Sequence, residues 1–374
     1  MPDTTRVSGP RPFPDDEDPM TPGAAFLSVL YLGGTGTISA ACVRASVAAG
    51  HDVTVVTRGG DAKGRGLPEG VTPLVADVAD PDALRQALGD RSFDAVVDFL
   101  SFDAAGADRR VDVFAGRTRQ FVAISSASIY RKPALQTPIT ESTLRANPFL
   151  AYARDKIAME DAFLLHHSTS GFPVVIVRPS HTYDEASPPL AGDWTVVDRI
   201  ARGEEVVVPG DGTSLWTLTH ADDFAVGLVG ILGDERAMGE ALHITSDDVM
   251  TWDRIHHLVA DALGVEARIV HVPAEQFPVV EPDWGWSELV VGDLSHSAVF
   301  DTTRIRRLVP AFQPRIPFHL AVRGIVAWRA EHPELTRPDA DTDRRIGRLV
   351  AAKHAADAAY RDAGAAAGAG GAGA

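Results

Sequence analysis

Two residue types that can move protons lie four positions apart in the segment AYARDK, namely Tyr152 and Lys156. The apolar spacing over 147–167 predicts a helix, and four residues in a helix place the phenol and the ammonium group on one face. A nearby ammonium stabilises a phenolate and lowers its pKa from about 10 towards the range of a general acid or base. The same pattern also suits an amphipathic helix with a solvated lysine. The other predicted elements must therefore distinguish a catalytic pair from an ordinary helix.

Serine hydroxyls occur where such a pair would need them. The sequence SSASIY (125–130) directly follows an apolar run at 119–125 that predicts a strand. In a parallel α/β sheet, ligands bind beyond the carboxyl ends of the strands. A hydroxyl group at this position can therefore bond a substrate oxygen as that oxygen becomes a carbonyl.

A glycine-rich turn, YLGGTGTIS (31–39), joins the first predicted strand to the first predicted helix. Gly33, Gly34 and Gly36 permit positive φ and let phosphate groups approach the backbone, while the helix N-terminus supplies free N–H donors. An ordinary strand–helix turn is the alternative. The position in the first βα unit favours a dinucleotide site, with the small Ser39 replacing the third glycine of that pattern.

The second strand is predicted to end at Thr57-Arg58, without the carboxylate that would bind the ribose 2′-hydroxyl of NAD. A guanidinium group pairs well with a 2′-phosphate, which favours NADP slightly over NAD; a solvated surface arginine is the alternative. Asp77 follows the third strand. It could accept a hydrogen bond from the adenine amino group or cap the next helix.

The element pattern predicts an α/β fold, a Rossmann-type doubly wound parallel sheet with a smaller C-terminal substrate-binding lobe. Near-continuous apolar runs alternate with helical segments up to Pro179. The predicted strands are 26–32, 52–57, 72–77, 93–100, 119–125 and 173–179, and the predicted helices are 38–50, 81–90, 104–116 and 147–167.

Four regions follow from this pattern. Residues 1–25 are expected to be a disordered leader and 26–179 the dinucleotide-binding domain. Residues 180–345 are mainly the substrate-binding lobe, with the strand at 240–246 a candidate to return to the main sheet. Residues 346–374 are expected to form a C-terminal helix and a flexible Ala/Gly tail.

Composition excludes several functional classes. The 374 residues carry 35 basic and 51 acidic side chains, a net charge of −16, which disfavours binding to nucleic acid or an anionic membrane surface. The single cysteine, Cys42, and the lack of an apolar run long enough for a membrane helix favour a cytoplasmic protein. The paired histidines at 166–167 and 256–257 do not have metal-ligand spacing, so we expect solvated histidines and no metal.

Taken together, these motifs resemble the extended short-chain dehydrogenase/reductases, the NAD-dependent epimerase/dehydratase family. The resemblance covers about 26–310. It rests on the segments LGGTGTIS (32–39), DVADPDAL (77–84), ISSASIY (124–130), YARDK (152–156), VRPSHTYD (177–184), VPGDGTSLWTLTHADDFA (208–225) and LHITSDD (242–248).

The resemblance implies a bound NAD or NADP and a role for each matching residue. Ser126 would be the catalytic hydroxyl, Tyr152 the general acid or base, and Lys156 the residue that lowers the pKa of the phenol and bonds the nicotinamide ribose. The implied cofactor-binding residues are Gly33, Gly34, Thr35, Gly36, Thr37, Ile38, Arg58, Asp77, Val78, Phe99, Leu100, Tyr152, Lys156 and Pro179.

The chain also departs from the family pattern. Ala127-Ser128 replaces the Asp-Glu pair of sugar dehydratases, which disfavours dehydration. His181 replaces the usual asparagine, and Trp216 replaces an arginine that contacts substrate phosphates. Either Arg304, Arg306 or Arg307 takes over that contact, or the substrate has no diphosphate. Ser126, Ser128, His181 and Trp216 are the expected substrate-binding residues.

The leading expectation is an enzyme that epimerises a sugar or nucleotide-sugar through transient oxidation to a ketone. The alternative enzyme is an NADP-dependent reductase or dehydrogenase with net redox on a sugar-like or other small hydroxy or keto substrate. A non-catalytic cofactor-sensing or RNA-associated family member is the alternative of another class. The resemblance also suggests a homodimer; the sequence names neither the substrate nor its reacting carbon.

Overall fold

A computed structural model of the protein describes residues 26–60 and 64–371, with side chains described up to 365. The predicted leader at 1–25 lies outside the described residues. Within the described ranges, no helix combines the length and the apolar character that crossing a bilayer requires.

The strands, in chain order, are β1 (Ser28–Leu32), β2 (Asp52–Thr57), β3 (Thr72–Val75), β4 (Phe93–Asp98), β5 (Thr118–Ile124), β6 (Val174–Pro179), β7 (His181–Tyr183), β8 (Glu205–Pro209), β9 (Leu215–His220), β10 (Ala241–Ile244), β11 (Val249–Thr251) and β12 (Arg268–Val272). Seven of them form one parallel sheet in the order β3-β2-β1-β4-β5-β6-β10. The strand order reverses between β1 and β4: the chain first adds β2 and β3 on one side of β1 and then adds β4, β5 and β6 on the other side. Sheets of this kind bind ligands at that point. The doubly wound α/β fold predicted from the sequence is confirmed.

The α-helices are α1 (Thr37–Ala48), α2 (Pro81–Leu88), α3 (Ala104–Phe114), α4 (Ala151–Ser170), α5 (Trp194–Ala201), α6 (Ala221–Gly230), α7 (Trp252–Leu263), α8 (Phe277–Val280), α9 (Gly285–Leu289), α10 (Thr303–Leu308), α11 (Phe318–Glu331) and α12 (Ala340–Gly371). A π-helix (Val290–Leu294) continues directly from α9. Short 3₁₀ turns occur at Ala127–Ile129, Glu235–Ala237 and Ala274–Gln276.

Alternating side chains of each central strand enter two different cores. On β1, Val29 and Tyr31 face the core under α1 and α6, whereas Leu30 and Leu32 face the core under α2, α3 and α4. All four side chains are fully buried. A strand covered on both faces has no polar side to alternate with, which is why these runs are apolar throughout.

A third core belongs to the chain after β6. It lies around the sheet β11-β9-β7 and the parallel pair β8–β12, and Trp194, Trp252 and Phe318 are among its buried members. Strand β10 pairs in parallel with β6 and so belongs to the central sheet. The predicted boundary at residues 179–180 stays a prediction.

The C-terminus differs from the flexible tail suggested by its Ala/Gly composition. Helix α12 runs without interruption to Gly371. Alanine has the highest helix propensity, and the alanines of the segment extend a helix whose first turns are anchored by buried Ile346 and Leu349. Residues 372–374 lie outside the described part.

Candidate active site

Two connected cavities open at the carboxyl ends of β1, β4, β5 and β6. The larger is a groove of about 880 Å³ that runs along the glycine turn. The smaller, of about 130 Å³, lies between this groove and the second lobe. Ser126, Tyr152, Pro179 and Ser180 line both, so the predicted catalytic hydroxyl groups lie where the two cavities meet.

Lys156 lies one turn after Tyr152 on α4 and is 2% exposed. Its Nζ donates hydrogen bonds to the backbone oxygens of Ser101 (2.6 Å) and Ile124 (2.8 Å). The same nitrogen is 4.5 Å from the ring centre of Phe102 and 5.8 Å from that of Tyr152. These contacts hold a positive charge beside the phenol at the floor of the groove.

Burial lowers the pKa of Lys156 to about 8, against the opposing effect of the Asp98 and Glu160 carboxylates. Burial raises the pKa of Tyr152; the nearby Ser126 hydroxyl lowers it and the charge of Asp293 raises it. Tyr152 is therefore protonated at neutral pH and can act as an acid.

A buried ion pair fixes the helix that carries these two residues. Glu160, one turn after Lys156, accepts two hydrogen bonds from Arg178 of β6, at 2.9 Å from Nε and 2.6 Å from Nη2. Arg178 also donates to the Tyr130 hydroxyl at 2.8 Å, and Tyr130 is fully buried. Separating α4 from β6 would leave these buried charges unpaired, which is costly. The ion pair therefore holds α4 against β6.

The hydroxyl of Ser126 is oriented by its own turn. Its oxygen accepts the backbone N–H of Ser128 at 3.1 Å and lies 2.9 Å from the Ser128 hydroxyl. Because the oxygen already accepts a hydrogen bond, the Ser126 proton can be donated, either to Ser128 or to a substrate oxygen.

All fourteen residues predicted to bind the cofactor line the groove. They are Gly33, Gly34, Thr35, Gly36, Thr37, Ile38, Arg58, Asp77, Val78, Phe99, Leu100, Tyr152, Lys156 and Pro179. Gly33 has φ +86°, which side chains rarely adopt. The groove also contains two buried polar atoms without a hydrogen-bond partner among the described residues, Ser125 Oγ and Arg109 Nε. Such atoms fit a polar dinucleotide.

The structure excludes the helix-capping role considered for Asp77 and leaves both roles considered for Arg58 open. Arg58 is exposed and lines the groove, where it can reach a bound nucleotide. Asp80, not Asp77, caps α2, since its side chain accepts the N–H groups of Asp82 and Ala83. Asp77 instead accepts the N–H of Ala79 at 2.9 Å and lines the groove.

Ser126, Ser128, His181 and Trp216, the residues predicted to bind substrate, all line the smaller cavity. Trp216 is 3% exposed and donates its indole N–H to the backbone oxygen of Leu294 at 3.0 Å. The ring of His181 packs edge-on against Trp216, with 5.7 Å between ring centres. Burial lowers the pKa of His181 to about 4, although Asp293 opposes the shift, so the imidazole is neutral at neutral pH.

Several charged residues at or next to these cavities were not identified from the sequence, among them Arg109, Asp293 and Lys132. Arg109 of α3 lines the groove, and Asp293 of the π-helix lines the smaller cavity, where Lys132 pairs with it at 2.5 Å. Arg109 lies in the helix predicted at 104–116, but the sequence did not show that this helix places Arg109 in the same groove as the glycine turn. No motif marks Asp293 or Lys132, which become neighbours only in the folded chain.

The arginines considered as substitutes for the phosphate contact lie elsewhere. Arg304 pairs with Glu240 at 2.8 Å and Arg306 pairs with Asp247 at 2.5 Å, while the exposed Arg307 lines neither cavity. None of these three arginines lines either of the two cavities.

Other predictions are corrected or narrowed by the structure. His256 was expected to be solvated, but it is 4% exposed and bonds the Trp252 oxygen at 2.8 Å, because its side of α7 faces the core of the second lobe. The neighbouring His257 is exposed. Trp284 is buried and belongs to that core. In the described ranges, no group of three potential metal ligands comes together.

Comparison with known proteins shows the family of the chain. Residues 29–245 match the model of the NAD dependent epimerase/dehydratase family. The chain is 32% identical over 292 residues to the 2′-dehydrokanamycin reductase of Streptomyces kanamyceticus, covering 77% of this chain and 81% of the relative. The protein therefore belongs to the NAD-dependent epimerase/dehydratase family and is an enzyme of that family.

Two further similarities show the breadth of the family. The chloroplast stem-loop binding protein of 41 kDa b from Arabidopsis thaliana is 26% identical over 273 residues, 68% of this chain and 70% of that protein. The dTDP-glucose 4,6-dehydratase of Bacillus anthracis, solved in complex with NAD, superposes with a TM-score of 0.67 at 17% identity. That match covers 83% of this chain and 98% of the other. At this identity the structural match supports the fold alone.

Proposed function

We propose that the protein is an NADP-dependent reductase that converts a ketone on a sugar without a nucleotide into a hydroxyl group. The observation that carries this proposal is the cavity of about 130 Å³ beside Ser126 and Tyr152, in whose wall the buried indole of Trp216 replaces a phosphate-binding arginine. A diphosphate needs cationic partners, and an indole bonded to the Leu294 carbonyl supplies none.

The named reductase among the relatives supports the same conclusion. The substrate in its name, 2′-dehydrokanamycin, is an oxidised aminoglycoside with no phosphate group. The proposed substrate class for this chain is accordingly a keto sugar of the aminoglycoside type. The net charge of −16 suits such a substrate, because aminoglycosides are polycations.

The reaction follows from the positions of the three catalytic residues. A nicotinamide cofactor held in the groove by the glycine turn, Arg58 and Lys156 would supply the hydride chemistry at the carbonyl carbon. The Ser126 hydroxyl donates a hydrogen bond to the carbonyl oxygen, and Tyr152 transfers its phenolic proton to that oxygen. The positive charge of Lys156 favours the phenolate that remains until a proton from solvent restores it. One ketone, one hydride and one proton give one alcohol.

A preference for NADP is proposed from the place of Arg58 after β2. The guanidinium group is exposed and lines the groove, so a 2′-phosphate can form two charge-assisted hydrogen bonds with it. Arg109 is a further cation in the same groove, beside Arg58 and Lys156, for the phosphates of the dinucleotide.

The test is NADPH oxidation in the presence of 2′-dehydrokanamycin and a set of other keto sugars. We expect one NADPH consumed per ketone reduced. The Tyr152→Phe variant should lose about 10²–10⁴-fold in kcat, since it lacks the proton to donate, and should still bind NADPH. The matched control is Tyr360→Phe, which changes a tyrosine that is 78% exposed on α12.

Two other outcomes would contradict the proposal. A nicotinamide nucleotide that survives purification, with conversion of a sugar but no net oxidation of NADPH, would establish the epimerase cycle instead. Full function of Tyr152→Phe in binding a stem-loop RNA, without turnover of any ketone, would favour the non-catalytic class of the chloroplast relative.

A further inference from the structure

Two charged residues next to the catalytic hydroxyl groups have no part in the proton transfer proposed above. Asp293 lies in the π-helix and lines the smaller cavity together with Ser126, Tyr152 and His181. Lys132 lies behind it, with its side chain fully buried, and the two are 2.5 Å apart from Nζ to Oδ1.

The ion pair is incompletely bonded within the protein. Among the described residues, neither Lys132 Nζ nor Asp293 Oδ1 has a hydrogen-bond partner of normal geometry. A carboxylate can accept several hydrogen bonds, and a buried charge with few partners is costly. The Asp293 side chain is 11% exposed. A ligand in the cavity can therefore bond the accessible part of this carboxylate.

The surrounding chain holds this carboxylate at the cavity wall. The backbone oxygen of Leu294, the next residue, accepts the indole N–H groups of Trp216 (3.0 Å) and Trp252 (2.7 Å). Lys132 Nζ lies 5.9 Å from the ring centre of Trp216. A π-helix widens the turn that contains it, and such turns are frequent at functional sites.

The charge presented to the cavity is negative. Of the described residues that line it, Asp293 is the one with an acidic side chain, while His181 is neutral and Tyr152 is protonated. Lys132 does not line the cavity and compensates the carboxylate from behind. A ligand group with N–H donors and a positive charge is the natural partner for such a wall.

We propose that Asp293 binds a protonated amino group of the substrate, with Lys132 as the residue that positions the carboxylate. This inference rests on the proposed function and narrows its substrate class to keto sugars with an amino group near the reacting carbon. The amine would fix which carbonyl faces Ser126 and Tyr152.

The experiment compares the binding of glucosamine and glucose to the protein loaded with NADP⁺, by calorimetry at a pH where the amine is protonated. We expect glucosamine to bind the wild type at least about tenfold more tightly, the usual size of one charge-assisted hydrogen bond. Asp293→Asn should abolish this preference. The matched control is Asp283→Asn, which removes an exposed carboxylate outside the cavity and should keep the preference.

Asp293→Asn leaves Lys132 buried without a counterion, so folding is measured by thermal denaturation. The double variant Lys132→Met/Asp293→Asn removes both charges and should fold and lose the preference as well. A wild type without preference, or a preference that survives in either folded variant or disappears in Asp283→Asn, overturns the inference. Failure of NADPH-dependent ketone reduction with the amine preference intact would instead overturn the proposed function.

Discussion

At the scale of single residues, the site combines groups whose protonation states depend on burial. Lys156, with a pKa of about 8, is mainly protonated at neutral pH and loses its charge above that value. The Tyr152 phenol beside it keeps its proton. This combination suits reduction, because the tyrosine must begin each turnover as an acid.

The proposed role of Arg58 in cofactor preference can be tested by substitution. Arg58→Ala should weaken NADPH binding about tenfold or more, since it removes a charge-assisted contact worth about 1.5–3 kcal/mol. NADH has no 2′-phosphate, so its affinity should not change. Fluorescence titration of both nucleotides measures this, with Arg307→Ala, an exposed arginine outside the groove, as control. An equal loss for both nucleotides would contradict the 2′-phosphate role.

Residues with a local sequence signal were placed from the sequence, and residues without one were not. The glycine turn, Ser126, Tyr152 and Lys156 each follow a predicted strand or share a helix face, so their positions follow from secondary structure. Asp293 and Lys132 lie in irregular segments far apart in the chain. Only the fold of the second lobe brings them to the cavity.

At the scale of elements, the strand–turn–helix unit β1–α1 serves two purposes at different glycines. A Cβ at Gly34 would lie 2.4 Å from Val55 Cγ1 of β2, so this glycine allows the turn to approach the sheet. A Cβ at Gly36 would meet only the Ser39 hydroxyl, at 3.1 Å. We therefore expect Gly34 to be required for packing of the core and Gly36 to be required for binding a ligand in the groove.

The two alanine variants should therefore fail differently. Gly34→Ala should lower the free energy of unfolding by about 1–3 kcal/mol, the usual cost of overpacking a core. Gly36→Ala should keep most of the stability, because a serine side chain can move, but should weaken nucleotide binding. Thermal denaturation and NADPH titration of both variants separate the effects. Equal stability of the two would contradict the assignment.

At the scale of the whole molecule, buried neutral histidines make stability depend on pH. Burial lowers the pKa of His181, His243 and His256 each to about 4. Each group binds a proton near pH 6.5 when the chain is unfolded. Between about pH 4 and pH 6.5 the unfolded chain binds more protons than the folded chain. The free energy of unfolding therefore rises with pH in this range and is lost as the pH falls from about 6.5 to about 4.

The adjacent histidines of α7 provide a matched pair for this effect. Each buried histidine contributes a slope of up to about 1.4 kcal/mol per pH unit. His256→Gln should reduce the slope of unfolding free energy against pH by about that amount, whereas His257→Gln, at the exposed neighbour, should reduce it much less. Urea denaturation at several pH values between 4 and 6.5 measures both slopes. Equal slopes for the two variants would contradict the account.

The sequence by itself determined the order of strands and helices up to β6, the doubly wound sheet, the glycine turn and many of the residues that line the groove. These features depend on periodicity, turn chemistry and short spacing, all of which are local. The tertiary structure decided the rest: that His256 is buried, that the Trp216 indole bonds the Leu294 carbonyl in the cavity wall, and that Asp293 lines the same cavity as Tyr152. Burial and charge pairing across lobes depend on contacts between distant segments, and the spacing of residues along a chain does not contain them.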